Sequence, residues 1–358
     1  MPPHTDTDRA ALIIAPQWVG DAIVSLALIA RLARSREGID VLAVPAVEAV
    51  YRCSPDVRNV IVAPFAHGQM QWGLRRRLAS DLTGRYGLAV VLPNSMKSAL
   101  VPWWAGIARR RGMRGESRVL VLNERRNPPP AQHHRPSMLA HYLQLADEAP
   151  DPADIDPMGA DRPRMNIPQG VTRGVRDPGL LAICPGAEYG PAKQWPAGKF
   201  ADVAAGWLTG TMQTAAGATA TERRVVLLGG PKDAGLGEQI RAWVADRLDG
   251  DPGDRLRNLC GTTSLMEAFA ILSGAGIALS NDSGLMHAAA ALDVPVLAIF
   301  GSTDPRHTPP HSPRARIIHL GLSCSPCFAR TCPLGTTACL NDIPSQHVLR
   351  ALDEMLPR

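Results

Sequence analysis

The stretch SNDSGLMHAAAAL, residues 280–292, places Asp282, Ser283 and His287 close together. Carboxylate, hydroxyl and imidazole are the groups of a hydrolytic triad, yet the spacing argues against one. The nucleophile of an α/β-hydrolase sits in G-x-S-x-G, and NDSGL lacks the first Gly. A Ser and a His four apart on one helix also lack a third partner to orient the imidazole. Binding is the better reading. The stretch follows the apolar run GIALSND (276–282) and opens a helix. The backbone N–H groups of Ser283, Gly284 and Leu285 then have no acceptor inside the helix and form an anion site. Asp282 beside them suits two hydroxyls of a sugar. His287, on the first turn, either faces the same opening or bonds a neighbouring backbone.

Three more strand-to-helix junctions carry polar residues. In PQWVGD (16–21), Asp21 reads as a helix cap or as a general base. A helix N-terminus would lower its pKa, and desolvation would raise it. In CPGAEYGPAKQWP (184–196), a Gly-containing loop holds Ala187, Glu188 and Lys193. Its backbone suits phosphate, and the Lys adds a point charge that can neutralise a leaving phosphate. Glu188 would repel phosphate and addresses a sugar hydroxyl or a Lys; Trp195 reads as packing. In LLGGPKDAG (227–235), Gly229 and Gly230 admit close approach of an adenine or ribose, but the spacing is not the dinucleotide fingerprint G-x-G-x-x-G.

A separate cluster, CSPCFARTCPLGTTAC, sets Cys324, Cys327, Cys332 and Cys339 at C-x2-C-x4-C-x6-C. Four thiolates at this density suit a structural zinc or an iron–sulfur cluster. The alternatives are reduced, partly buried thiols or a disulfide formed on oxidation. Cys53, Cys184 and Cys260 read as small core residues.

The elements that must position these groups alternate β then α. Apolar runs at 11–16, 40–45, 59–65 and 88–94 are separated by helical patterns that include 21–35 and 72–82. A Pro- and Asp-rich region, 126–178, carries one helix candidate and reads as an interdomain connection. The alternation resumes with strands at 180–186, 224–230, 276–282 and 294–301, and a last helix at 345–356. A small, polar segment at 209–222 reads as a mobile surface loop. The expectation is α/β: two doubly wound parallel sheets, residues 1–170 with the linker from about 150, and 171–358, facing a central cleft. Ligands in such sheets bind at the C-terminal ends of strands, where every polar cluster above falls.

The chain has 358 residues and a net charge of +5. The charge is uneven. Residues 1–150 carry 19 basic and 12 acidic side chains; residues 151–358 carry 19 and 21. Arginine clusters at 75–77 and 109–111, with Arg114 and Arg118, read as an anion-attracting surface or as a solvated helix face. Few aromatics interleave them, so nucleic acid is not expected. No apolar run reaches the roughly 18–20 residues that span a bilayer. The first sixteen residues do not read as a signal peptide, and an odd number of cysteines in a chain this long does not suggest a disulfide scaffold. The expected compartment is the cytosol.

Together, PQWVGDAIVSLAL, VLPNSMKSALVPWWAGIARRRGMRGE, CPGAEYGPAKQWP, SNDSGLMHAAAAL and FGSTDP resemble glycosyltransferase family 9, the ADP-heptose:lipopolysaccharide heptosyltransferases, over nearly the whole chain. PNSMKSA with PGAEYGPAK resembles the type II branch. The resemblance implies the GT-B architecture, with acceptor in the first Rossmann-like domain and nucleotide sugar in the second. It implies inverting transfer of L-glycero-D-manno-heptose from ADP-heptose to the first heptose of the inner core, on a Kdo-heptose-lipid A acceptor. The enzyme would act at the cytoplasmic leaflet of the inner membrane, peripherally, with no required cofactor and as a monomer. Asp21 matches the catalytic base and Lys193 the residue on the donor phosphates. Asp282 matches the heptose-binding position, Ser283, Gly284 and Leu285 the diphosphate site, and His287 belongs to the same motif. Asp233 and Thr263 match positions lining the adenine pocket; Trp18, Asn94, Lys97 and Arg114 are the acceptor-side candidates. A type I or III acceptor, or a GT-B sugar-nucleotide epimerase, is the alternative.

Overall fold

The computed structural model describes residues 10–66, 68–130, 135–210 and 222–356. The N-terminal segment and most of the polar stretch at 209–222 lie outside these residues. The chain divides into two units, Met1–Asn166 and Ile167–Arg358, four residues before the boundary taken from the sequence.

The strand β1 (Ala11–Ile14) is ALII, and all four residues are buried. A strand apolar on both faces needs cover on both, which a parallel sheet flanked by helices supplies. Five more parallel strands join it: β2 (Ile39–Ala43), β3 (Asn59–Val62), β4 (Leu88–Val91), β5 (Arg109–Met113) and β6 (Glu124–Arg126). Their order is β3-β2-β1-β4-β5-β6. The second unit repeats the plan with β7 (Asp177–Cys184), β8 (Arg224–Leu227), β9 (Leu256–Asn258), β10 (Ala275–Asn281), β11 (Val296–Ile299) and β12 (Ala315–Ile318). Its order is β12-β11-β10-β7-β8-β9. Read from the β9 edge, both sheets run third, second, first, fourth, fifth, sixth. The strand order reverses direction between β1 and β4 in one and between β7 and β10 in the other. Ligands of doubly wound sheets sit at that reversal, because the two flanking helices leave on opposite faces and open a crevice.

The second core is built on Trp195, Phe200 and Trp207, all fully buried. Trp195 and Phe200 meet edge to face, centroids 4.9 Å apart. Both indoles also donate: Trp195 to the Ile343 carbonyl at 3.3 Å and Trp207 to that of Gly179 at 3.1 Å. Large aromatic area with its N–H satisfied is the favourable way to bury tryptophan. Cys53, Cys184 and Cys260 are buried as expected.

Two expectations are corrected. The arginine clusters are surface groups only in part: Arg76 and Arg77, on helix Trp72–Leu82, keep the solvated helix face, while others turn inward. Arg109–Arg111 lie in β5, and Arg75, Arg111 and Arg118 are buried. Arg111 pairs with Glu124 at 2.7 Å and Asp147 at 3.1 Å, and donates to the Leu145 carbonyl. Arg118 bonds the carbonyls of Pro93 and Met113 and the Asn94 side chain. Arg75 stacks 4.0 Å over Phe65 and bonds the Met70 and Lys97 carbonyls. Internal carboxylates and carbonyls consume these guanidiniums; Arg76, Arg77 and Arg114 stay exposed. Second, much of the region read as a connection belongs to the first unit. Helix Met138–Leu143, capped by Ser137, packs on helix Val19–Ala33, and Asp161 pairs with Arg31 at 2.9 Å.

Candidate functional site

In the second unit the site is assembled where β7 and β10 end side by side. Asn281, the last residue of β10, is buried and clamps the loop after β7 at two points. Its Nδ2 donates to the Pro185 carbonyl at 2.7 Å, and its Oδ1 accepts from the Trp195 backbone at 3.1 Å. That loop ends in the short 3-10 turn Pro191–Lys193. The clamp delivers Lys193 Nζ to 2.6 Å from Asp282 Oδ2. Thr303, just past β11, donates to the same oxygen at 2.5 Å. The Tyr189 ring lies 4.9 Å from the ammonium. Both charges are largely desolvated, the side chains being 13% and 4% exposed, so each depends on the other.

Asp282 is the residue that the sequence reading offers to two hydroxyls of a sugar. Its hydrogen bonds among the described residues fall on Oδ2, which leaves Oδ1 for a ligand. The helix that follows, Gly284–Ala291, starts at Ser283. Ser283 does not cap it; its hydroxyl turns to Ser280 at 3.1 Å. The amides of the first turn are therefore not satisfied by their own N-cap side chain, and they point positive dipole ends toward the strand ends.

His287 is buried on this helix. Burial pushes its pKa down to about 4; the Lys193 charge adds to this and the Asp282 charge opposes it. The imidazole is neutral at pH 7 and brings no cation to a phosphate.

The neighbouring strand ends carry the rest. Asp233, half-buried after β8, accepts from the Gly230 amide at 2.9 Å. A Cβ on Gly186 would stand 2.3 Å from the Asp233 carboxylate, and one on Gly229 would stand 2.8 Å from it. The glycines here make room for this carboxylate as well as for a ligand. Burial raises the Asp233 pKa, and the Glu188 charge adds to it. Glu188 pairs with Lys232 at 2.6 Å in solvent, the Lys alternative offered by the sequence. Ala187 is half-exposed in the same loop, and Thr263 is half-exposed after β9.

In the first unit, Asp21 lies beyond β1. The N-cap is Trp18, 49% exposed, and Asp21 is the third helical residue, so it is not the cap. Burial raises the Tyr51 and Tyr142 phenols, and the Asp21 charge adds to both. Asn94 follows β4, and Arg118 holds its side chain at 3.1 Å. Lys97 is half-buried in the turn Met96–Ala99, and Arg114 is exposed just past β5. Asp21, Asn94 and Arg114 thus follow three adjacent strands.

Sequence reasoning missed Asn281, Thr303 and Tyr189. Thr303 lies in FGSTDP, and the available signal was that this motif ends a strand; only the pairing of β10 with β11 puts it on Asp282. Among the described residues, no three or more His, Cys, Asp or Glu side chains form, as they stand, a group that could hold a metal ion. Cys324, Cys327, Cys332 and Cys339 nevertheless line one small cavity.

Residues 75–338 match the model of glycosyltransferase family 9 (heptosyltransferase). The chain is 36% identical over 324 residues to lipooligosaccharide heptosyltransferase 2 of Haemophilus influenzae, covering 86% of this chain and 88% of the relative. It is 35% identical over 366 residues to lipopolysaccharide heptosyltransferase 2 of Escherichia coli, covering 96% and 98%. The solved structure of E. coli ADP-heptose lps heptosyltransferase II superposes with a TM-score of 0.78 at 32% identity, covering 97% and 98%.

Proposed function

The chain belongs to glycosyltransferase family 9, and we propose that it transfers L-glycero-D-manno-heptose from ADP-heptose to the first heptose of the lipopolysaccharide inner core, inverting the anomeric centre. The observation that carries this reading is the Lys193–Asp282 pair at the β7/β10 reversal, beside a helix start not capped by its own Ser. An ammonium has three N–H donors. One serves Asp282, and the others serve the diphosphate. Asp282 Oδ1 takes a heptose hydroxyl. Gly229 and Gly230 admit the nucleoside.

Asp21 removes the proton from the acceptor hydroxyl as its oxygen attacks the anomeric carbon and the carbon–oxygen bond to ADP breaks. Charge then builds on the leaving diphosphate. Lys193 and the first-turn amides of helix Gly284–Ala291 face that charge, already oriented, in a site with little water to screen them. His287, buried and neutral, adds no charge to the diphosphate. Trp18, Asn94, Lys97 and Arg114 line the acceptor side.

No helix among the described residues is long and apolar enough to cross a membrane. Peripheral attachment rests on aromatic side chains. Trp72 and Trp103 are 53% and 43% exposed, and both stand within 7 Å of the Trp104 ring, which Arg76 covers. Indoles beside cations suit the headgroup region of a bilayer.

The deciding assay supplies ADP-heptose with acceptors that carry zero, one or two heptoses and follows ADP release with the acceptor mass. The reading requires turnover with the one-heptose acceptor. Turnover confined to the heptose-free acceptor would move the chain to type I, and donor consumption without acceptor would make it an epimerase.

A further inference from the structure

Four of the seven cysteines lie within residues 324–339, and the transfer reaction uses none of them. All four line one cavity of about 20 Å³, whose other walls include Ala192, Ser302 and Thr337. Cys324 and Cys327 are exposed, Cys332 is half-buried and Cys339 is buried, and none is in a disulfide. The Thr337 amide donates to Cys332 Sγ at 3.3 Å, an N–H···S contact that favours a thiolate. The space suits one ion. A void of about 10–15 Å³ already holds a water-sized sphere. A Cys sulfur also swings by χ1 alone, so sulfurs lining a small void can turn toward it by rotamer changes.

We propose that Cys324, Cys327, Cys332 and Cys339 bind a single divalent transition-metal ion, zinc or iron, as a closed tetrathiolate that staples this loop to the loop carrying Lys193. Binding releases the thiol protons and closes all four positions, so the ion is structural. Phe328 and Arg330 lie between Cys327 and Cys332, and they make the contacts that matter. The Phe328 carbonyl accepts from the Tyr189 hydroxyl at 2.6 Å, and its amide donates to the Ser302 carbonyl at 2.7 Å. The Arg330 carbonyl accepts from the Ala192 amide at 3.1 Å and lies where a Cβ on Gly190 would come within 2.5 Å. Ala192 directly precedes Lys193, and the Tyr189 ring lies 4.9 Å from its ammonium. Fixing the two cysteines around Phe328 and Arg330 therefore fixes the carbonyls behind the lysine, and the four cysteines act as positioning residues.

The test starts with full-length protein purified without oxygen, chelator or metal-affinity resin. Elemental analysis should find about one equivalent of zinc or iron per chain, lost in the Cys324→Ser/Cys327→Ser variant. Wild-type protein stripped by chelator and titrated with Co²⁺ should develop the sulfur-to-cobalt and visible bands of a tetrahedral four-sulfur site. These bands should saturate at one equivalent and vanish on adding Zn²⁺. Folded wild-type protein that holds no stoichiometric metal and gives no such cobalt spectrum would overturn the site. A cobalt spectrum that saturates only with fewer than four sulfurs would overturn the tetrathiolate. The staple rests on the donor-site reading and is measured separately. Stripping should raise KM for ADP-heptose by about 10-fold and leave KM for the acceptor in place, with zinc or iron restoring it. An unchanged donor KM in stripped enzyme would overturn the staple, while the metal count stands apart from any reading of the reaction.

Discussion

Lys193 Nζ and Asp282 Oδ2 stand 2.6 Å apart although 89 positions separate them in the chain, and Thr303 closes the same oxygen from a third strand end. Removing one partner of a buried pair leaves an uncompensated charge, at about 3–5 kcal/mol. Lys193→Ala should lower the unfolding free energy by about 3 kcal/mol and cut kcat/KM by about 100-fold or more. Adding Asp282→Asn should recover much of the stability and none of the activity. Urea titrations and steady-state kinetics on Lys193→Ala, Asp282→Asn and the double variant check this; strictly additive stability losses would show that the pair is not coupled.

Asp21→Ala should lower kcat by about 100-fold or more while ADP-heptose binding, read by calorimetry, stays within about twofold, since a general base acts on the acceptor proton. Near-normal turnover would remove Asp21 from the reaction.

His287 makes stability fall on the acid side. Its folded pKa is about 4, against about 6.5 for a free imidazole. Above pH 6.5 both folded and unfolded states hold it neutral. As pH drops from 6.5 to 4, the unfolded state takes up a proton that the folded state refuses, and stability falls by about 3 kcal/mol across that window. His287→Asn should lack this component. Unfolding free energies of both proteins at pH 7, 5.5 and 4.5 give the comparison; parallel profiles would contradict it.

Arg111 should matter for folding and not for substrate attraction. Arg111→Met removes one of two cations from Glu124, which keeps Arg109, and from Asp147, which keeps Arg36, and should destabilise the chain by about 1.5–3 kcal/mol. Exposed Arg77 replaced by Ala should change stability by less than about 0.5 kcal/mol. Equal melting temperatures for the two variants would refute the inward role of β5.

Trp72→Ser/Trp103→Ser should weaken sedimentation with anionic vesicles by several-fold and leave turnover on a water-soluble acceptor fragment unchanged. Vesicle binding equal to wild type would remove the tryptophans from any membrane contact.

Much of this was legible before any coordinates. ALII, LAVV, LLAIC and GIALSN read as buried strands because each is apolar on both faces, and a strand with two buried faces belongs in a covered parallel sheet. Asp21, Lys193 and Asp282 stood out because each follows such a strand. The sequence pattern failed at RRRGM, residues 109–113. Three consecutive arginines resemble a solvated face, and the groups that neutralise Arg111 lie 13 and 36 positions away. It failed also at Thr303 and Asn281, whose side chains bond residues outside their own segments.

By itself, then, the sequence determined the α/β class, the two repeats, and which residue types stand at the strand ends, since periodicity and turn chemistry are written in consecutive residues. The tertiary structure decided which strand ends are neighbours. That choice paired Lys193 with Asp282, turned the arginines of β5 inward, buried His287 as a neutral ring and gathered four cysteines around one cavity. Burial and charge compensation depend on what lies across the sheet, and no local stretch of chain records its neighbour.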